Sequence, residues 1–211
     1  GLFTILAIMF CSNRNTSSAT LNAMSAIAQP KSIEWRDGKL LLLDQTQLPE
    51  SVVVEEQHTA EQVWDSIKQL KVRGAPAIGM AGAYGLVVAM RPFRSAGRDH
   101  FFQELHRAAA YLDSSRPTAV NLSWALKRVV TAVESAPEAD GASLFEVVQR
   151  VAEEIHCEDI ELCRRIGEVG APLITSGMGI LTHCNAGRLA TSEYGTATAP
   201  MYLAHQQGVA F

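Results

Sequence analysis

At 211 residues, 47% of them hydrophobic, the chain is long enough for one large domain or two small ones. Its formal net charge of −4 lacks the basic footprint of a nucleic-acid binder, and no apolar run reaches the roughly 18 residues a membrane span needs. Cys11, Cys157, Cys163 and Cys184 stand at irregular spacings without a CxxC pair. They read as reduced thiols of a cytoplasmic protein, with neither a disulfide framework nor a structural zinc pattern.

The chain opens on GLFTILAIMF and the polar tract CSNRNTSSAT, both unlike the remainder of the chain. No positively charged segment precedes the apolar run, and Met24 reads as an ordinary amino terminus. Residues 1–31 are therefore expected to be a disordered leader or extension, with an export or organelle signal as the alternative. From Ser32, SIEWRDGKLLLLDQTQLPESVVVEE holds two or three short β-like runs, and Asp37-Gly38 signals a hairpin turn. Thr59 and Gln62 form a capping box for a helix with Val63, Ile67 and Leu70 on one face. Pro76 suits the first turn of a second helix, PAIGMAGAYGLVVAM, in which Gly79, Gly82 and Gly85 make a flat stripe for close helix packing.

The basic stretch from Arg91 to Arg107, interrupted by Asp99 and Glu104, reads as a solvated helix edge. Helices are expected at about 99–112 and 118–134, then a loop at 137–143 and a long helix from Ser143 to about Val169, with Ser143 and Glu146 as its capping box. At Gly179 the pattern changes. GILTHC reads as a buried strand, TATAPMYLAHQQ as a helix capped by Gly208, and Val209–Phe211 as the opening of a second strand. One such βαβ unit cannot cover both faces of a sheet, so the chain is expected to end inside a domain.

In an open parallel sheet, ligands gather beyond the carboxyl ends of the strands. Cys184 would lie at such an end, near backbone N–H groups that can make a thiol reactive; a buried structural cysteine is the alternative. His183 would point to the opposite face of the strand, which argues against a dyad of neighbours. Two upstream stretches suit a phosphate grip. In KVRGAPAIG, Arg73 and Gly74 precede a helix start, and in SRPTAVNLSWAL, Arg116 precedes another, with Thr118 and Asn121 nearby.

Taken in order and spacing, VRGAPAIGMAGAYGL, RPTAVNLSWAL and ILTHCNAGRLAT…YGTA resemble the methylthioribose-1-phosphate isomerase family, within the initiation factor 2B alpha/beta/delta-like superfamily. SIEWRDGKLLLLDQTQLP is similar to that family's amino-terminal strands, so the resemblance covers Ser32 to Phe211. It implies an α/β chain with a small β plus helical amino-terminal domain at 32–175. An incomplete Rossmann-like parallel-sheet domain would follow at 176–211. It further implies an aldose–ketose isomerase that converts 5-methylthioribose 1-phosphate to the 1-phosphate of 5-methylthioribulose. Such an enzyme would be a cytoplasmic homodimer of the methionine salvage pathway, with no metal and no organic cofactor. By motif, Arg73, Gly74 and Ala75 would bind the sugar phosphate, Arg116 would help hold its phosphate, and Cys184 would be the catalytic cysteine.

The family's catalytic aspartate and an Asn-Lys pair would lie beyond Phe211. The 211-residue chain is therefore expected to be incomplete and inactive or nearly so, with an unpaired sheet edge at Val209–Phe211. Ribose-1,5-bisphosphate isomerase and the regulatory subunits of translation initiation factor 2B are the alternative relatives, the latter being scaffolds rather than catalysts. THCNAG and the intact VRGAPAIG favour an isomerase. RPTAVNL and the amino-terminal IEW strands favour the methylthioribose substrate.

Overall fold

The computed structural model describes residues 30–137 and 140–211; the expected leader, apart from residues 30 and 31, lies outside them. A three-stranded antiparallel sheet comes first, in the order β1 (Ile33–Arg36), β2 (Lys39–Leu43), β3 (Val54–Gln57). Asp37 and Gly38 both take positive φ, 52° and 73°, the backbone a two-residue hairpin requires. That turn sets the register Trp35↔Leu40, and β2 in turn pairs Leu41 with Glu56. Ile33, Leu40 and Leu42 are buried and join the helical core.

Helix α1 (Ala60–Lys68) starts as its sequence indicates. The Thr59 hydroxyl accepts from Gln62 N–H at 3.3 Å, and the Gln62 side chain accepts from His58 N–H at 2.6 Å. Val63 and Ile67 face the core, but Leu70, expected on the same face, lies past the helix end at φ 64° and is exposed. The cause is the closing turn. Lys71 N–H bonds Ser66 C=O at 2.9 Å and Leu70 N–H bonds Ile67 C=O at 3.3 Å, which needs a left-handed residue between them.

Helix α2 (Ala75–Met90) is apolar all round and buried, and α1, α3 (Arg98–Asp113), α4 (Val120–Glu134) and α5 (Gly141–Gly170) pack around it. The glycine stripe serves that packing: a Cβ on Gly79 would stand 3.0 Å from Asn121 C=O, and one on Gly82 would overlap the Leu122 side chain. Cap and start of α5 differ from expectation. Asp140 takes the Ser143 N–H at 3.0 Å, so the helix begins two residues before Ser143 and Asp140 is the cap. At 30 residues α5 outreaches the bundle, and its second half carries the final segment, including α6 (Ala199–Gln206). Gly208, at φ 85°, ends α6 as expected.

GILTHC and Val209–Phe211 are not strands. A strand exists by pairing; residues 179–184 form no ladder, and the bond that Ala210 C=O accepts, from Gly177 N–H at 3.0 Å, comes from a residue before that run. Leu181 is 96% exposed rather than buried. The fold is thus mixed α/β, mostly helical with a small antiparallel sheet, and the Rossmann-like parallel sheet is not formed among the described residues. No helix among them is long and apolar enough to cross a membrane.

Candidate functional site

The turn before α2 sets the first part of the site. Gly74 is its N-cap residue, at φ 91° and ψ 141°, a backbone that only glycine adopts without strain. A Cβ there would also overlap Ala190 and stand 2.8 Å from its carbonyl oxygen. Arg73 and Ala75 flank it and are exposed. No side chain caps α2, and Pro76 lacks an N–H, so the first-turn donors that exist are not taken up by a side chain.

A second open helix start lies alongside. α4 begins after Ala119 without a side-chain cap, and Gly79, the fifth residue of α2, meets Asn121 in the first turn of α4. Arg116, partly buried, stands just before that start. Among the described arginines, Arg73 and Arg116 are the two whose side chains make no ion pair, hydrogen bond or ring contact. Two unclaimed guanidinium groups beside two uncapped helix N-termini form a field that favours an anion such as a phosphate.

Cys184 is exposed among the described residues, and it takes φ 61°, a left-handed conformation uncommon for a side-chain-bearing residue. It makes no hydrogen bond with Arg73, Arg116 or His183. Its link to the α2 start is the loop on its carboxyl side. Thr196 N–H bonds Ala186 C=O at 3.0 Å, closing residues 186–196 into a loop whose tip, at Ala190, lies on Gly74. The three sequence motifs therefore converge on the first half of α2: Gly74 against the loop after Cys184, and Gly79 against the segment after Arg116.

Sequence reasoning missed the residues that hold this loop. Ser32 O–H donates to Thr191 C=O at 2.5 Å, Gln45 Nε2–H donates to Leu189 C=O at 2.9 Å, and Asp159 Oδ2 accepts from Ser192 N–H and O–H at 2.8 and 2.7 Å. Burial holds the Asp159 carboxyl above its ordinary pKa, against the pull of the Ser192 hydrogen bonds. Burial also pushes the neighbouring Cys163 thiol up to about 12, so it stays protonated. A signal for Asp159 existed. It falls on the i, i+4 row Ile155, Asp159, Cys163, Gly167, whose other members are buried.

No group of three His, Cys, Asp or Glu among the described residues is placed to hold a metal. A groove of about 440 Å³ between α1, the end of α2 and α3, lined by His58, Phe93, Glu104 and Tyr111, contains none of the expected site residues.

Similarity to known proteins runs along the same motifs. The chain is 51% identical over 176 residues to a protein named 5-deoxyribose 1-phosphate isomerase from Bacillus anthracis, and 53% identical over 176 residues to one of the same name from Moorella thermoacetica. These matches span 83% of the chain and 51% and 50% of the relatives, so the chain spans about half the length of the curated relatives it matches. The crystal structure of 5-methylthioribose 1-phosphate isomerase from Pyrococcus horikoshii superposes with a TM-score of 0.81 at 35% identity, over 87% of this chain and 51% of that one. Translation initiation factor eIF-2B, subunit delta, from A. fulgidus superposes at 0.78 with 43% identity, over 86% of this chain and 52% of that one. The family model for the initiation factor 2 subunit family matches residues 71–211, which begin just before Arg73 and run through Cys184. The chain belongs to the initiation factor 2 subunit family.

Proposed function

We propose that this chain is part of a sugar-phosphate aldose–ketose isomerase whose substrate is 5-methylthioribose 1-phosphate, in methionine salvage. The observation that carries the reading is the convergence on α2: two unclaimed arginines beside two uncapped helix starts, tied through Gly74 and Ala190 to the loop of an exposed, left-handed Cys184. Relatives and a solved neighbour named as isomerases of pentose 1-phosphates support the same reaction class.

In this reading Arg73 and Arg116 grip the phosphate as planar forks of donors, helped by the free N–H groups of α2 and α4. Gly74 and Ala75 let the sugar approach the backbone. The phosphate blocks the anomeric oxygen, so the ring cannot open as a free sugar's does. The enzyme must assist that opening and then move hydrogen from C2 to C1, and Cys184 is the group of this chain that takes part in the acid–base work. Residues 32–175 form the amino-terminal domain and residues 176–211 open the catalytic one. The whole protein acts as a cytoplasmic homodimer without metal or organic cofactor.

A second reading has its own support. The solved neighbour named as an initiation factor subunit shares 43% of its residues with the chain over the aligned region, more than the solved isomerase does, and a binding scaffold would need no Cys184 thiol. Assaying the natural gene product with 5-methylthioribose 1-phosphate and with 5-deoxyribose 1-phosphate separates the readings. The isomerase yields a ketose 1-phosphate from the first more efficiently than from the second. Preference for the second shifts the substrate to the one in the relatives' names, and absence of turnover on both favours a scaffold.

A further inference from the structure

Four of the eight buried polar residues among those described, Ser32, Gln45, Thr191 and Ser192, meet at one joint, between the 186–196 loop and the elements that hold it. Three unconnected parts of the chain supply the holders: Ser32 just before β1, Gln45 after β2 and Asp159 in α5. Each grips a different residue of one short stretch, Thr191, Leu189 and Ser192. The stretch itself carries Ala190, which lies on Gly74. The loop's neck is equally fixed. Thr196 N–H bonds Ala186 C=O at 3.0 Å, and a Cβ on Gly195 would stand 2.6 Å from that same oxygen. Cys184 leaves the neck two residues upstream. Three of the four bonds satisfy backbone groups of the loop, Thr191 C=O, Leu189 C=O and Ser192 N–H, which apolar side chains at the holding positions would leave without these partners.

We propose that Asp159 and Gln45 are positioning residues: gripping the 186–196 loop at two points from two different elements, they fix the separation between Cys184 and the Arg73–Gly74–Ala75 turn. The use of that separation rests on the isomerase reading, whereas the clamp does not. Asp159 Oδ2 holds both donors of Ser192, so it sets the position and the rotation of the loop tip at once. Gln45 holds Leu189 C=O from the sheet side, and its own backbone N–H bonds Lys71 C=O at 2.9 Å, two residues before Arg73. The sheet, the Arg73 turn and the loop are thereby tied through one residue. Misplacing a reacting group by about 1 Å can cost on the order of a hundredfold in rate.

The test compares Gln45→Ala, Asp159→Ala, Asp159→Asn and the double alanine variant with the wild-type natural gene product. Two readouts are taken: amide hydrogen exchange over residues 186–196, and steady-state kinetics with 5-methylthioribose 1-phosphate. Exchange in the loop accelerates in both alanine variants, and kcat falls at least about tenfold while KM stays within about threefold, because the phosphate-gripping arginines are not on the loop. Asp159→Asn keeps a side-chain oxygen for Ser192 and recovers most of the loss. In the double variant the two losses in kcat do not multiply, since a loop already released cannot be released again.

Unchanged exchange in both single variants overturns the clamp, and so do losses in kcat that multiply. Should Asp159→Ala fail to fold, Gln45→Ala, which removes one hydrogen bond, still decides. Accelerated exchange alongside a wild-type protein that turns over no sugar phosphate upholds the clamp and overturns the isomerase reading instead.

Discussion

Gly74 and Ala190, 116 positions apart in the chain, touch so closely that a side chain on Gly74 would overlap the Ala190 Cα and Cβ. Because φ at Gly74 is 91° as well, any substitution meets both a strained backbone and an occupied space. Gly74→Ala is expected to destabilise by about 3 kcal/mol, read from urea denaturation midpoints. Adding Ala190→Gly does not restore the loss, since the Ala190 backbone remains in the way. Full recovery in the double variant would show that the loop can move off Gly74 freely.

The Arg73 and Arg116 side chains spend no hydrogen bonds on the fold, so their removal separates binding from stability. Arg73→Ala and Arg116→Ala are each expected to raise KM for a sugar phosphate by roughly tenfold or more, the scale of a lost charge-assisted phosphate contact. Their unfolding free energies stay within about 0.5 kcal/mol of wild type. A melting scan beside the kinetic assay checks both halves.

The chemical role proposed for Cys184 falls on a strained backbone. At φ 61° it sits where glycine is at ease and other residues lose about 1 kcal/mol or more. Cys184→Gly should stabilise the protein by about that amount while removing turnover, and Cys184→Val should destabilise it and remove turnover as well. Chemical denaturation together with the isomerase assay measures the exchange of stability for activity.

Legibility in the sequence followed the range of the interactions. The β1–β2 hairpin, α1 and α2 carry their own start signals: Asp37-Gly38, the Thr59–Gln62 box and Pro76. Local backbone preference is enough to place them. The run at 179–184 is different. An apolar hexapeptide looks the same whether or not a partner strand lies beside it, and pairing is a property of distant chain. The ends of α1 and α5 moved for the same kind of reason, because Leu70 takes a left-handed turn without being glycine and Asp140 outcompetes Ser143 for the cap. The proposed site residues Arg73–Ala75, Arg116 and Cys184 stand out in the sequence because they sit in motifs; their roles are the proposal. Ser32, Gln45 and Asp159 are single polar residues in unrelated segments, and only the folded chain brings them to one loop.

His156 provides a pH test of the core. Its Nδ1 lies 3.0 Å from the Tyr84 hydroxyl, Trp35 stacks on that tyrosine, and burial lowers the imidazole to about 4. The unfolded chain binds this proton near pH 6.5 and the folded chain only near 4. Between those values the unfolded state holds more protons, so stability is full above about pH 6.5 and is lost as pH falls toward about 4. The loss attributable to His156 is on the order of 3 kcal/mol across that window. His156→Gln, which cannot titrate, should flatten this part of the stability profile measured by denaturant titration at several pH values.

The most direct measurement is the conversion of 5-methylthioribose 1-phosphate by the natural gene product and by its Cys184→Ala variant, with circular dichroism to show that both are folded. The account predicts formation of the ketose phosphate by the wild type and its loss, by at least about a thousandfold, in the variant. A folded Cys184→Ala variant that works at the wild-type rate would contradict the account.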